Sequence, residues 1–106
     1  MKIEATLRFL RNAKRLNKKF PSFNIDLTDK LKSLLENPQQ GESIGQSCYK
    51  VRMAITSKGK GKSGGSRLIT YVRIEQDIIY LLTIYDKSER ENLDTDELDE
   101  LLKQIE

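Results

Sequence analysis

The 106-residue chain has a mass of 12.3 kDa, 37% apolar and 33% charged residues, and a formal net charge of +3. That length supports a single domain over residues 1–106 with one modest core, and the composition excludes a chain that is disordered throughout. Its lack of any histidine excludes Ser-His-Asp and Cys-His catalysis and the usual zinc sites, so acid-base chemistry near neutral pH falls to lysine, tyrosine or a shifted carboxylate.

The opening residues, MKIEATLRFLRNAK, carry a charge every few positions, which fits neither a signal peptide nor a membrane span and predicts a cytoplasmic protein without a membrane partner. Ile3 to Thr6 starts a short strand. Phe9, Ala13, Leu16 and Phe20 then recur at helical spacing with Arg8, Arg11, Lys14, Arg15, Lys18 and Lys19 between them, predicting an amphipathic helix with a basic outer face. Pro21 ends it by restricting the residue before it. Ser22 is placed to cap a second helix carrying Phe23, Leu27, Leu31, Leu34 and Leu35, closed by Asn37-Pro38, and the two make a helical hairpin.

Past the polar stretch QQGES the period changes to two. Tyr49, Val51, Met53 and Ile55 point one way, and Cys48, Lys50, Arg52 and Ala54 the other, so Lys50 and Arg52 share a face. A second strand runs from Arg67 to Ile74 and a third from Asp77 to Asp86. The third, IIYLLTIY, is apolar almost throughout and belongs at the centre of a sheet, while the short turn before it implies antiparallel pairing. In the last element Asp94 is a cap with Glu97 three residues on, Leu93 and Leu98 are spaced for a hydrophobic staple, and Leu98, Leu101, Leu102 and Ile105 form an apolar stripe on an acidic helix. The order predicts an α+β domain, with two N-terminal helices packed on a small antiparallel sheet and a C-terminal acidic amphipathic helix.

Charge is strongly segregated along the chain. Between Ser43 and Ile74 lie Lys50, Arg52, Lys58, Lys60, Lys62, Arg67 and Arg73 with no acid, whereas Glu89 to Glu106 is predominantly acidic. A polyanion is drawn to the first region and repelled by the last. The basic loop itself, SKGKGKSGGSR, contains two strings with well-known nucleotide-binding meanings. G-K-S at Gly61 to Ser63 lacks the glycine of a Walker loop five residues before Gly61, where Thr56 stands. G-x-G-x-x-G at Gly59, Gly61 and Gly64 leads into the strand-like RLITYVRI instead of a helix, which excludes a dinucleotide fingerprint. The loop is a flexible basic connection whose Lys58, Lys60 and Lys62 offer point charges to phosphates. Cys48 is a lone cysteine with no histidine to activate it and reads as a small strand residue.

With these elements in place the chain resembles the RelE/ParE superfamily of toxins from type II toxin-antitoxin pairs, most closely its HigB-like branch. The resemblance lies in CYKVRMA, SKGKGKSGGSR, LLTIYDKSE and the passage from LLENPQQG into the first long strand. It implies a RelE-like fold and an endoribonuclease that enters the ribosome, cuts messenger RNA there without metal or cofactor, and inhibits translation. It implies partners too: ribosome and messenger, and a cognate antitoxin with a helix-turn-helix domain, through which alone operator DNA is engaged. The residues matching the family's active positions are Lys50, Arg52 and Arg67, with Lys87 as a fourth; since neighbouring cations disfavour a lysine's charged form, Lys50 or Lys87 can serve as base, and Lys50 is the expected proton acceptor. Relatives also use an arginine after the last strand and a tyrosine near the C-terminus. Here KSERENLD offers Lys87 and Ser88, with Asp94 where that tyrosine would stand, and alternation turns Tyr85 toward the core. Other members of the fold poison gyrase, and a non-catalytic RNA- or ribosome-binding module is the remaining alternative.

Overall fold

The structure, a computed structural model, describes residues 1–59 and 64–105. Five strands, β1 (Lys2–Ala5), β2 (Glu42–Gly45), β3 (Cys48–Met53), β4 (Ser66–Arg73) and β5 (Ile78–Asp86), form one sheet in the order β1-β5-β4-β3-β2. Helices α1 (Leu7–Lys19) and α2 (Phe23–Glu36) cover one face, and the short α3 (Glu97–Leu102) covers part of the other. None of the described helices is long and apolar enough to cross a membrane.

The sheet is mixed, not purely antiparallel, because β1 pairs in parallel with β5 while the remaining pairs are antiparallel. The helical hairpin carries the chain from β1 to β2 at the opposite edge, and the long connection that a parallel pair requires is completed only when β3, β4 and β5 have brought the chain back beside β1. Strand β2, absent from the sequence expectation, completes the other edge across a tight turn in which Gln46 and Ser47 both take positive φ. β5 lies between β1 and β4 and is buried nearly end to end, as its apolar run predicts.

Two apolar clusters sandwich the sheet. On the side of α1 and α2, Phe9, Leu16, Phe23 and Leu34 pack on Val51, Met53, Leu68, Val72, Ile79, Leu81 and Ile84. On the other, Leu101 covers Cys48, Ile69 and Leu82, with Leu93, Leu98, Leu102 and Ile105 beside them. Leu35, expected inside, is 47% exposed, since α2 turns it away from the sheet.

The caps differ from the sequence expectation in instructive ways. Thr6 caps α1: its hydroxyl accepts from Phe9 N–H at 3.2 Å and faces the carbonyls of Leu81 and Leu82, fastening the helix start to β5. Ser22 precedes α2 but makes no side-chain cap, because its hydroxyl donates to Asp26 at 2.7 Å and accepts from Ser57 N–H at 2.9 Å. The Asp26 carboxylate in turn accepts from both Thr56 N–H and its hydroxyl, at 2.8 and 2.6 Å. The α2 start is thereby tied to the root of the basic loop. Near the C-terminus the Glu97 carboxylate accepts from Asp94 N–H at 2.9 Å, one half of the anticipated capping box, but α3 begins only at Glu97 after an intervening turn.

The end of β5 holds a buried carboxylate. Asp86 is wholly inaccessible, and its Oδ1 accepts from Lys58 Nζ at 2.6 Å and from Ser88 N–H and hydroxyl at 3.0 and 2.9 Å. Burial alone would raise this carboxyl, but the bonds from Lys58 and Ser88 outweigh it and hold the group below 3.8. A carboxylate depressed in the folded state contributes stability that is present above its unfolded value and lost as pH falls through the folded one. The melting temperature should therefore fall as pH drops through 3.8 and below, and Asp86→Asn should flatten that slope while costing ~10 °C or more at neutral pH, because it leaves Lys58 buried without its counter-charge. An acid slope in the variant as steep as in the parent would refute this account.

Candidate active site

The pleat places Lys50 and Arg52 on the face opposite Val51 and Met53, as the alternation predicts, and the antiparallel register sets Arg52 directly across from Arg67. Two guanidinium groups thus share one cross-strand site. Like charges directly opposite destabilise a sheet unless an anion lies between them. Arg67 is only 3% exposed, its Nη1 donating to Ser66 O at 3.0 Å. Burial first, and then the neighbouring Arg52, pull Arg67 down from its ordinary value, while guanidinium remains the cation that holds its charge best.

These two arginines, Lys50 and Lys87 line one open cleft of about 570 Å³. All four residues expected to act on RNA are therefore brought together, from β3, from β4 and from the turn after β5. Lys87 is fixed by its own backbone, whose N–H donates to Gly65 O at 3.0 Å. Lys30 of α2, Glu42 of β2, Glu91 and Asn92 complete the rim. Gly41, at φ +99°, forms part of the floor: a Cβ there would stand 2.6 Å from Lys50 O, so the chain reaches β2 this closely only with glycine.

Lys50 is not set among cations alone. Its Nζ lies 3.1 Å from Glu42 Oε1 and 3.0 Å from Asn92 Oδ1. Glu42 and Lys50 are cross-strand partners, a pairing invisible while QQGES reads as an unstructured polar stretch. The sequence signal that would have found Glu42 is weak, since a four-residue edge strand has no period to recognise.

Tyr85 is the second residue whose place differs. Strict alternation along β5 turns it toward the helices, but a bulge leaves Leu82 without a partner: Thr70 pairs with Leu81 and Ile69 with Thr83. The extra residue reverses the parity, and Tyr85 pairs with Arg67 on the cleft side of the sheet. It is buried, with its hydroxyl donating to Glu91 O at 3.1 Å and the Arg90 guanidinium 5.0 Å above its ring. Burial raises its phenol, which suits a supporting side chain more than a proton acceptor. Arg90, the arginine after the last strand, is held by Glu97 rather than directed into the cleft.

The basic loop resolves into two parts. Lys58 points inward onto Asp86, its side chain 10% exposed and its ammonium 5.5 Å from the Phe20 ring centre. In this structure its ammonium is paired with a buried carboxylate, which makes it a pin between the loop root and β5. Lys60 and Lys62 lie outside the described residues. Cys48 is fully buried beneath α3 and burial pushes its thiol up to about 12, in keeping with an inert packing residue.

The model of the RelE toxin of the RelE/RelB toxin-antitoxin system matches residues 3–105. The chain belongs to the RelE toxin family. Solved structures agree on the fold of this RelE-family chain. The isolated E. coli RelE toxin is 20% identical with a TM-score of 0.62, the match covering 99% of this chain and 98% of that one. A free E. coli RelE mutant with two arginines replaced by alanine is 20% identical with a TM-score of 0.61, covering 97% and 90%. A chain of the intact E. coli RelBE toxin-antitoxin complex is 22% identical with a TM-score of 0.62, covering 80% and 94%. As a RelE-family member the chain is a toxin of a toxin-antitoxin system.

Proposed function

We propose that this toxin, of the HigB-like branch, is a ribosome-dependent endoribonuclease that cuts messenger RNA by 2′-hydroxyl attack and so inhibits translation in the cytoplasm. The observation that carries the reading is the cleft in which Lys50, Arg52, Arg67 and Lys87 converge, with two arginines opposed across the sheet. A scissile phosphate between those guanidiniums relieves their repulsion, and the phosphorane, with one more negative charge, relieves it further. That difference between ground state and transition state is what accelerates a reaction.

The 2′-oxygen attacks the adjacent phosphorus as its proton departs, and the bond from phosphorus to the 5′-oxygen breaks as that oxygen takes up a proton. Arg52 and Arg67 hold the non-bridging oxygens. Lys87, on the turn beside them, supplies the proton to the leaving oxygen. For the proton acceptor the Glu42–Lys50 pair is the candidate, and its basic member is Glu42, since an ammonium engaged with a carboxylate has no lone pair to offer. Lys50 then orients Glu42 and adds charge to the phosphate. Lys60 and Lys62 grip ribosome and messenger without reading bases. The partner is a cognate antitoxin, a reading supported by the E. coli complex of toxin with antitoxin; that antitoxin carries a helix-turn-helix domain, through which operator DNA is bound.

Inducing the protein alone in bacteria and mapping new 5′ ends on translated messages tests the function. Cuts inside reading frames that require ribosomes are the expected result; growth arrest with intact messages would instead favour a gyrase poison or a non-cleaving block. For the acceptor, Glu42→Gln should lower single-turnover cutting about a hundredfold. Lys50→Ala should abolish cutting with the fold retained. Full activity in Glu42→Gln would return the acceptor role to Lys50, and full activity in Lys50→Ala would remove that lysine from the site.

A further inference from the structure

We propose that Asp86 is the positioning residue of this cleft: the buried Asp86–Lys58 pair sets where Arg67 and Lys87 stand and couples them to the root of the basic loop. The inference deepens the nuclease reading and rests on it for its kinetic consequence, though not for its structural one.

Three observations converge on this carboxylate. Its backbone stands at the junction of the site's elements, paired with Ser66 beside the Arg67–Tyr85 pair and followed at once by Lys87. The turn that carries Lys87 and Arg90 starts on Asp86 O, which accepts from Glu89 N–H at 3.0 Å and Arg90 N–H at 3.3 Å. Its side chain draws in Lys58 from the far end of the loop, while Lys19 of α1 approaches Oδ2 at 3.6 Å, an oxygen with no hydrogen bond among the described residues. One residue thereby orients the cleft's turn, the loop root and the end of α1.

A pair of this kind is a poor choice if stability alone is at stake. Apolar side chains of similar volume hold a buried site as well or better, whereas an ion pair fixes direction, because its hydrogen bonds are satisfied in one arrangement only. Here the directed bonds run to Lys58 and twice to Ser88, the residue after Lys87. The loop root is pinned independently on its other side through Asp26 and Ser22, so the position of Lys58 is itself determined. Asp86 does not itself line the cleft and acts through Lys87 and Arg67.

The test compares the parent with Asp86→Asn, Lys58→Arg and the apolar pair Lys58→Met with Asp86→Leu. Amide hydrogen exchange read peptide by peptide, melting temperature and single-turnover cutting are measured for each. Positioning predicts faster exchange confined to residues 65–67 and 87–90 in Asp86→Asn and in the apolar pair, with β1 unchanged. It predicts that the apolar pair recovers the parent's melting temperature yet cuts at least tenfold more slowly at saturation, with KM within about threefold, and that Lys58→Arg retains most of both. Unchanged exchange at those peptides, or cutting that returns with the melting temperature in the apolar pair, would overturn the proposal. Should the parent cut no RNA, the nuclease reading fails by itself and the exchange pattern alone decides the positioning.

Discussion

Replacing Arg67 by lysine should lower single-turnover cutting of ribosome-bound messenger about a hundredfold while leaving binding within a few-fold. The charge is kept, so what the substitution removes is geometry. Arg67 sits at the start of β4 with its flanks set by Arg52 on one side and Tyr85 on the other, and its low exposure leaves its guanidinium few orientations. A guanidinium is a planar fork able to hold two phosphate oxygens at once, while a lysine ammonium is a single compact charge on a flexible stem. Loss of one well-aimed donor to a developing oxyanion costs roughly a hundredfold to a thousandfold. The melting temperature checks the alternative of simple damage and should move by less than ~8 °C, about what 1 kcal/mol produces in a domain of this size. A threefold or smaller loss, or one confined to ribosome affinity, would place Arg67 in the grip and not in the chemistry.

Much of this arrangement was legible in the amino-acid sequence, and the remainder fails to be legible for identifiable reasons. Lys50 and Arg52 share a face because a strand's period is two, and that inference needs no partner strand. Phe9, Leu16, Phe23 and Leu34 reach the core because helical spacing puts them on inward stripes. Pairing partners are a different matter. Nothing in Lys2–Ala5 states that it lies parallel to β5, since the contact closes over the helical hairpin and the three strands after it, and local pattern carries no such information. Strand β2 exists because β3 offers an edge and two glycines at positive φ bring the chain to it. Tyr85 escaped because a single unpaired residue, Leu82, reverses the parity of everything after it. Lys58 escaped for the opposite reason: a lysine in a Gly/Ser run reads as solvated, and its buried acceptor lies 28 residues further along the chain. Glu42, one of two acids on the cleft rim, is hidden in the sequence because its four-residue edge strand has no period to recognise.

The second large effect expected is at Gly65. Alanine there should cost several kcal/mol or leave no folded protein, a heavier penalty than most surface changes in this chain. A Cβ at Gly65 would lie 2.4 Å from Met53 O, 2.9 Å from Ala54 Cα and 2.9 Å from Ile55 N. All three are backbone atoms, so no rotamer change relieves the clash and β4 must move off β3 at its first residues. The movement is transmitted into the site. Gly65 O is the acceptor for Lys87 N–H, the neighbouring Ser66 hydroxyl donates to Met53 O at 3.1 Å, and Arg67 follows directly. Gly59, at the other end of the loop, supplies the control: it has φ +72° but, among the described residues, nothing within 4 Å of its Cβ position. Alanine there meets only the backbone strain of the left-handed region, about 1–2 kcal/mol. Thermal melting of the two variants side by side should thus separate them clearly, with cutting lost in Gly65→Ala and largely kept in Gly59→Ala. Equal losses at the two positions would mean that the loop root, and not the close approach of β4 to β3, sets the geometry of Arg67 and Lys87.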